Sequence, residues 1–460
     1  MPRREWPAWA NLFDVIDLLR LSAPIAVSRA SFMLMMLTDT IILGRNAPEE
    51  LPFVLIAWFP IGVVLGIAMG LTLGVSVLTA ELAGRGEEKE TGRIYRRGIV
   101  IALLLGVIAC VSIQFGAETL FRHLTFEDEL LAGITAVCKI LSFALLAQLL
   151  NNASTFYLEA LRKPMIVSAI MYFGVIVNMV FDLIFVSGAF GFPKLGAVGV
   201  AYATSGTSIF LMIGFLILCG VSTPAFRKGS VPPPGELLRQ VRVGLGMAVS
   251  NAAEFGAFNY THVIAGQVSL AVSSIYGMVF QVIAFAFMAF LGIGTATSVR
   301  VAERIGRGDE AGVVNASRLG VFTCIVTGVL AAGIMLSFPE SLASVFVKPG
   351  TVISDVELYP VLASMIMLSS LMVIFDGLQN TASMASRARG LIWPPAFVHI
   401  GCYLLIMIPL AWYLSSVAQR GLQGIMEAVI VSSVVSATLQ LYLLERRAPV
   451  REQRKTAEGL

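Results

Sequence analysis

The sequence predicts an all-α membrane protein of twelve spanning helices in two six-helix lobes, and three observations carry that reading. Of the 460 residues, 57% are hydrophobic and 13% charged, with a mean hydropathy of +0.84; soluble chains carry about 25% charged residues. Apolar runs recur at about 20 residues, the length a helix needs to cross a hydrocarbon core of about 30 Å, whereas membrane strands alternate over about ten. The second half of the chain also repeats the first in register.

The runs place spans at 21–43, 52–80, 98–120, 134–160, 165–187, 197–220, 245–265, 270–298, 318–338, 357–385, 391–414 and 422–444. Lys and Arg sort around them. The N-terminus, the even-numbered loops and the C-terminus hold 25 of the 32, including Arg85, Lys89, Arg93, Arg96 and Arg97 in one loop. The positive-inside rule then puts both termini in the cytoplasm, which requires an even number of spans.

Gly70 to Ile108 aligns without a gap on Gly292 to Leu330 at an offset of 222. The matches include Ser76/Ser298, Glu81/Glu303 and Gly84-Arg85-Gly86/Gly306-Arg307-Gly308. The same offset carries Ala26-Val27-Ser28 onto Ala248-Val249-Ser250, and Gly44 onto Gly266. Six helices separate the copies, so the second enters the membrane with the same orientation as the first: a parallel repeat, with a pseudo-two-fold axis along the membrane normal. The domain reading is an interfacial segment 1–20, an N-lobe 21–220, a cytoplasmic linker 221–244, a C-lobe 245–444 and a cytoplasmic tail 445–460. Trp6, Trp9 and the spacing of Leu12, Phe13, Ile16 and Leu19 suit a helix lying at the interface, and no signal-peptide cleavage pattern is present. Arg227-Lys228-Gly229-Ser230 and the prolines after it make the linker.

Several function classes drop out. Cys110, Cys138, Cys219, Cys324 and Cys402 are scattered singly and read as buried thiols. No GxxxxGK[ST] phosphate loop exists to drive ATP-powered pumping. His123, His262 and His399 are isolated, with no HExxH or Ser/His/Asp grouping, so an enzyme is not expected. The repeated Gly-Arg-Gly loops read as turns tied by Arg and Glu.

What remains is charge inside apolar runs. Asp39, Asp182, Glu254 and Asp376 each interrupt one, and Glu159 lies near the end of another. An ionised group at membrane depth costs about 2.5–3.5 kcal/mol on insertion scales, so such residues mark ion, proton or substrate paths. Asn178 and Asp182, four apart, share a helix face and offer an amide oxygen beside a carboxylate. That suits a small cation or a proton, although the pair could equally hold helices together by hydrogen bonds. Asn151, Asn152 and Thr204 could add oxygens. In the second half, aromatics crowd near Glu254 in sequence: Phe255, Phe258, Tyr260, Tyr276, Phe280, Phe285, Phe287 and Phe290. Carboxylates beside aromatic faces suit organic cations, while most single aromatics face lipid or core. Arg29, inside the first span, has two open readings: an ion pair with Glu254, which the repeat sets level with Phe32, or a phosphate or carbonyl partner. Glu427 reads as interfacial.

Ala23-Pro24 opening the first span, Thr38-Asp39-Thr40-Ile41-Ile42-Leu43-Gly44 closing it, the two Gly-Arg-Gly loops, Leu161-Arg162-Lys163-Pro164 and Leu195-Gly196-Ala197-Val198-Gly199 together resemble the multidrug and toxic compound extrusion (MATE) family. Glu254 and Phe375-Asp376-Gly377 resemble its NorM-like branch in particular. The resemblance covers nearly the whole chain and implies a secondary antiporter in a bacterial inner membrane. Such transporters export cationic amphipathic compounds in exchange for inward Na⁺ or H⁺, without a cofactor, their two lobes opening alternately. It implies an N-lobe cation site at Asp39, Asn178 and Asp182, with Asn152 and Thr204, and a C-lobe cation or substrate site at Glu254 and Asp376. These same residues would ligate Na⁺ if Na⁺ is the coupling ion. Arg29 falls outside the family pattern. The expected partners are organic cations and the lipid bilayer, not nucleic acid, and the expected state is a monomer. Two alternatives stand: a flippase for lipid-linked oligosaccharides from the same superfamily, which calls for several cavity Arg or Lys, and an ion channel.

Overall fold

A computed structural model of the chain describes residues 12–122, 128–227, 229–353 and 355–446. Trp6 and Trp9, His123, Lys228 and the basic tail from Arg447 lie outside the described residues. Twelve long helices follow one another: α1 Leu12–Asn46, α2 Leu51–Gly84, α3 Thr91–Arg122, α4 Asp128–Ala160, α5 Pro164–Phe185, α6 Gly196–Ser222, α7 Glu236–Val268, α8 Leu270–Gly306, α9 Glu310–Ser337, α10 Leu358–Ala388, α11 Trp393–Val417 and α12 Gly421–Glu445. A six-residue helix, Pro339–Ser344, and a two-residue hairpin pairing Val352–Ile353 with Val356–Glu357 connect α9 to α10.

Among the described residues, eleven helices are long and apolar enough to cross a bilayer. The twelfth, α7, has the length, but Asn251, Glu254, Asn259 and His262 dilute its apolar character. Helices outrun the apolar spans at several ends. α1 begins at Leu12 as one continuous rod, so residues 12–20 are its lead-in, and α7 begins at Glu236, inside the stretch read as linker. Within α11, wide π-helical turns at Ile400–Met407 and Tyr413–Val417 flank Ile408–Trp412, which contains Pro409. A proline lacks the N–H that an α-helical ladder requires, and such wide turns are one way a helix accommodates the loss.

The chain divides into two compact units. One comprises Val27–Ala248; the other joins the residues up to Ala26 with those from Val249 onward. Ala26 and Ala248 are equivalent in the repeat, so both cuts fall at the same point of the symmetric fold, within α1 and within α7. In the first unit α4 is central, packing on α2, α3 and α6. In the second, α10 plays the same part against α8, α9 and α12.

Glycines let the lead-in segments approach. At Gly70 a side chain would overlap the backbone of Met247 and Ala248, and at Gly292 that of Ser22 and Ala26. Both pairs obey the offset of 222. Ion pairs seal the segments in place: Arg239 to Glu81 at 2.6 Å and Arg93 to Glu236 at 2.9 Å in one unit, Arg300 to Asp14 at 2.5 Å in the other. The repeated loops turn alike, on Gly86 (φ 78°) and Gly308 (φ 72°), in the left-handed region that favours glycine. In the second loop Asp309 caps α9 by accepting from the Gly312 N–H at 2.8 Å. That bond, with Arg304 at 2.7 Å, holds its carboxyl below the ordinary carboxylate range. All five cysteines are free and buried.

Gly70→Ala is expected to destabilise the protein by about 1–3 kcal/mol, the usual cost of overpacking. Gly62→Ala, where a Cβ meets nothing within 4 Å, is expected to be neutral or stabilising by up to about 1 kcal/mol. Thermal unfolding of the purified protein in detergent compares the two, and equal melting points would contradict the close approach.

Candidate functional site

The first unit gathers its carboxylates near one end of α1. Asp39 projects from α1, Asn178 and Asp182 from successive turns of α5, and Thr204 from α6; Asp39, Asn178 and Asp182 are all buried. The Thr204 hydroxyl donates to Asp39 Oδ2 at 3.2 Å, and the Thr38 hydroxyl reaches Asn178 Oδ1 at 3.4 Å. The carboxyls of Asp39 and Asp182 are close enough for each to act on the other's charge, with Asn178 beside them. Among the described residues, no hydrogen-bond donor reaches Asp39 Oδ1 or either oxygen of Asp182. Two like charges this close and this buried call for a compensating positive charge or proton. The cluster therefore fits a shared proton, or a hard monovalent cation taking carboxylate, amide and hydroxyl oxygens. Asn152, expected with this group, forms no hydrogen bond to it among the described residues, and Asn151 instead donates to the Ser208 carbonyl at 3.1 Å.

Arg29 has a different partner from the one considered in the sequence. Its Nη2 donates to both oxygens of Glu159, at 3.1 and 3.0 Å, and its guanidinium lies 5.2 Å from the ring centre of Phe156. Phe156 and Glu159 are three apart on α4 and so present one face to α1. The pair with Glu254 is thereby replaced. Glu159 is wholly buried and its charge is answered within its own unit.

In the second unit α7 supplies Glu254 and α10 supplies Asp376. Between them stands Gln379, whose Nε2 donates to Glu254 Oε1 at 3.0 Å and to Asp376 Oδ1 at 3.3 Å. One amide thus holds two carboxylates together. Sequence reasoning missed it, although its position three residues beyond Asp376 sets it on the same helix face. Of the eight aromatics noted near Glu254, Phe255, Tyr260 and Phe285 point outward. Phe258, Tyr276 and Phe280 form a buried or half-buried group, joined by Tyr403 of α11: Phe258 lies 5.0 Å from Phe280 and 5.7 Å from Tyr403 between ring centres. Among the described residues, no three His, Cys, Asp or Glu gather as a transition-metal site would require.

The remaining sequence expectations fall at the rims. Glu427 pairs with Arg420 at 2.5 Å near the start of α12. Glu81 pairs with Arg239 and, four residues on, with Arg85, which gives the Gly-Arg-Gly motif its structural role.

Residues 24–184 and 247–413 match the MatE family, one stretch in each half of the repeat. The chain belongs to that family. A curated relative from Caulobacter vibrioides, named "Probable multidrug resistance protein NorM", is 32% identical over 94% of this chain and 92% of its own. The "Multidrug resistance protein NorM" of Vibrio cholerae is 25% identical over 74% of this chain and 76% of its own. Among solved structures, the eukaryotic MATE transporter AtDTX14 superposes with a TM-score of 0.86 at 18% identity, covering 97% of this chain and 99% of that one. An outward-facing multidrug resistance MATE family transporter gives 0.84 at 19% identity, covering 96% of each chain. These structural likenesses establish the fold. MatE members are transporters, so this is a multi-pass membrane transport protein and not an enzyme.

Removing one partner of the Arg29–Glu159 pair leaves a buried charge alone. Arg29→Met is expected to cost about 3–5 kcal/mol. The double variant Arg29→Met/Glu159→Gln should recover most of that loss, measured by thermal unfolding of the four proteins of the cycle; additive losses would count against the pairing.

Proposed function

We propose that this MatE transporter is a secondary antiporter of a bacterial inner membrane, with both termini cytoplasmic. It exports cationic amphipathic organic compounds in exchange for inward Na⁺ or H⁺. The observation that carries this reading is the approach of Asp39 and Asp182 in a buried site, with three carboxylate oxygens that no described donor reaches. A proton or a small cation is what such a site takes up, and no other energy source is legible in the chain. The names of the multidrug resistance relatives support the substrate class.

In this reading the coupling ion enters the Asp39–Asp182 site and removes the repulsion between the two carboxylates. α1 carries Asp39, whereas α5 and α6 carry its partners, so neutralising the site changes how tightly α1 is held against them. The loaded state favours release of the organic cation outward, and loss of the ion to the cytoplasm resets the cycle. Glu254 and Asp376, with the aromatic group of Phe258, Tyr276, Phe280 and Tyr403, supply charge and apolar faces for the organic cation. The flippase alternative is weaker, because it calls for several free cavity Arg or Lys, and Arg29 is engaged by Glu159. A channel would carry flux only downhill.

The test is ethidium efflux from purified protein in liposomes, with a Na⁺ gradient and a pH gradient imposed separately. Uphill ethidium movement under one of them is expected, and that gradient identifies the ion. Asp39→Asn should abolish uphill movement, a loss of tenfold or more. Wild-type rates with intact ion dependence in that variant would overturn the role of this site, and no uphill movement in the wild type under either gradient would overturn the antiport itself.

A further inference from the structure

The second unit buries a cation that the carboxylate site has not yet used. Arg387 lies in the last turn of α10 and is fully buried, the largest of the wholly buried side chains among the described residues. In the sequence it stands two residues beyond the apolar run 357–385. Its two terminal nitrogens donate to hydroxyls only: Nη1 to Ser383 one turn back, Nη2 to Ser250 on α7. Its Nε has no partner, and among the described residues no carboxylate forms an ion pair with it.

A guanidinium cannot shed its proton in a protein interior. Left uncompensated at this depth, its charge costs several kcal/mol, and two serine dipoles do not offset that. The opposite charge within electrostatic reach is Glu254, one turn along α7 from Ser250. The intervening residues form a continuous polar face on α10, with Asp376, Gln379, Ser383 and Arg387 on successive turns, all buried. Among the described residues, Glu254 is the carboxylate whose charge acts on the guanidinium. α11 contributes His399, fully buried with neither ring nitrogen hydrogen-bonded, and Tyr403. The buried polar groups of α12 are Ser432, Ser433, Ser436 and Gln440, all neutral.

We propose that Arg387 is a fixed internal countercharge of the Glu254–Asp376 site and sets its specificity, leaving two carboxylates with room for one exchangeable positive charge instead of two. The inference rests on the reading of this site as one that takes cations. Its chemical consequence is a preference for monocations over dications of the same shape. A bound dication would leave the buried site with an excess of one positive charge, whereas a monocation brings it to neutrality. Arg387 is a positioning and charge-setting residue here; it need not touch the ligand.

Ethidium and propidium share one ring system, the first a monocation and the second a dication, and both report binding to purified protein by fluorescence anisotropy. Wild type is expected to prefer ethidium. Arg387→Gln should raise the propidium-to-ethidium affinity ratio roughly tenfold or more, as expected for loss of one unit charge at an effective dielectric of about 20. Arg387→Lys should keep the wild-type ratio, and Arg387→Gln/Glu254→Gln should return towards it. A purely structural role would weaken both dyes alike, so a folded Arg387→Gln with the wild-type ratio overturns the proposal. If Arg387→Gln fails to fold, the double variant decides: neutral at both positions, it should fold, and its failure where Glu254→Gln alone folds would make Arg387 structural and overturn the countercharge. Binding ratios need no transport, so a wild type that shows the ratio shift but moves no ethidium uphill would sink the antiport reading and leave this one standing.

Discussion

The cost of an unanswered charge in a hydrocarbon slab organises this protein. Every carboxylate that the helices carry to depth must be neutralised, and the fold does so in three ways. Glu159 is closed off by Arg29 through both oxygens, with Phe156 beneath the guanidinium. Asp39 and Asp182 are set against each other with oxygens left over. Glu254 and Asp376 share the amide of Gln379. The first arrangement is complete within the chain and asks for nothing from solution. The other two leave negative charge unanswered by a paired cation at hydrogen-bond distance, which is the feature expected of an ion or substrate path at membrane depth. One constraint thus sets paired and unpaired residues of the same type apart.

Much of this was legible in the sequence because membrane depth turns polarity into position. The spans, the repeat, the rim role of the Gly-Arg-Gly loops and the face shared by Asn178 and Asp182 all follow from spacing alone. What escaped depends on direction and on long-range pairing. Arg29 and Glu159 are 130 residues apart, so no local pattern joins them. Arg387 stands just past an apolar run, where hydropathy sees a charged residue at a boundary but not that its side chain turns inward. Gln379 looks like one more polar residue in a crowded helix until two carboxylates converge on it. α7 shows the opposite effect, since the polar residues that equip it for chemistry weaken its signal as a spanning helix.

The two halves share architecture and not chemistry. Gly86 and Gly308, Gly70 and Gly292, and the cuts at Ala26 and Ala248 are all related by the same offset, so the turns and close approaches are duplicated. The carboxylates at membrane depth are not. Glu254 is level with Phe32, and Asp39 with Thr261. Backbone geometry constrains which residues can stand at a close approach, but it leaves the interior of each unit free to carry different polar groups. Duplication has therefore left two similar frames with two different charge sets.

α1 and α7 each belong to both units, and this governs how the chain is made. Residues 27–222 leave the ribosome before Glu236–Ala248, yet the unit they build includes that later segment, against which Gly70 and Gly74 close. The first unit therefore lacks its last segment until the second half begins. The lead-in of α1, made first of all, must wait longer still, until α8 arrives with Gly292 and Arg300 to receive it. The two units are thus interleaved in time as well as in sequence: a chain severed between residues 222 and 236 would yield two fragments, each missing a piece held by the other.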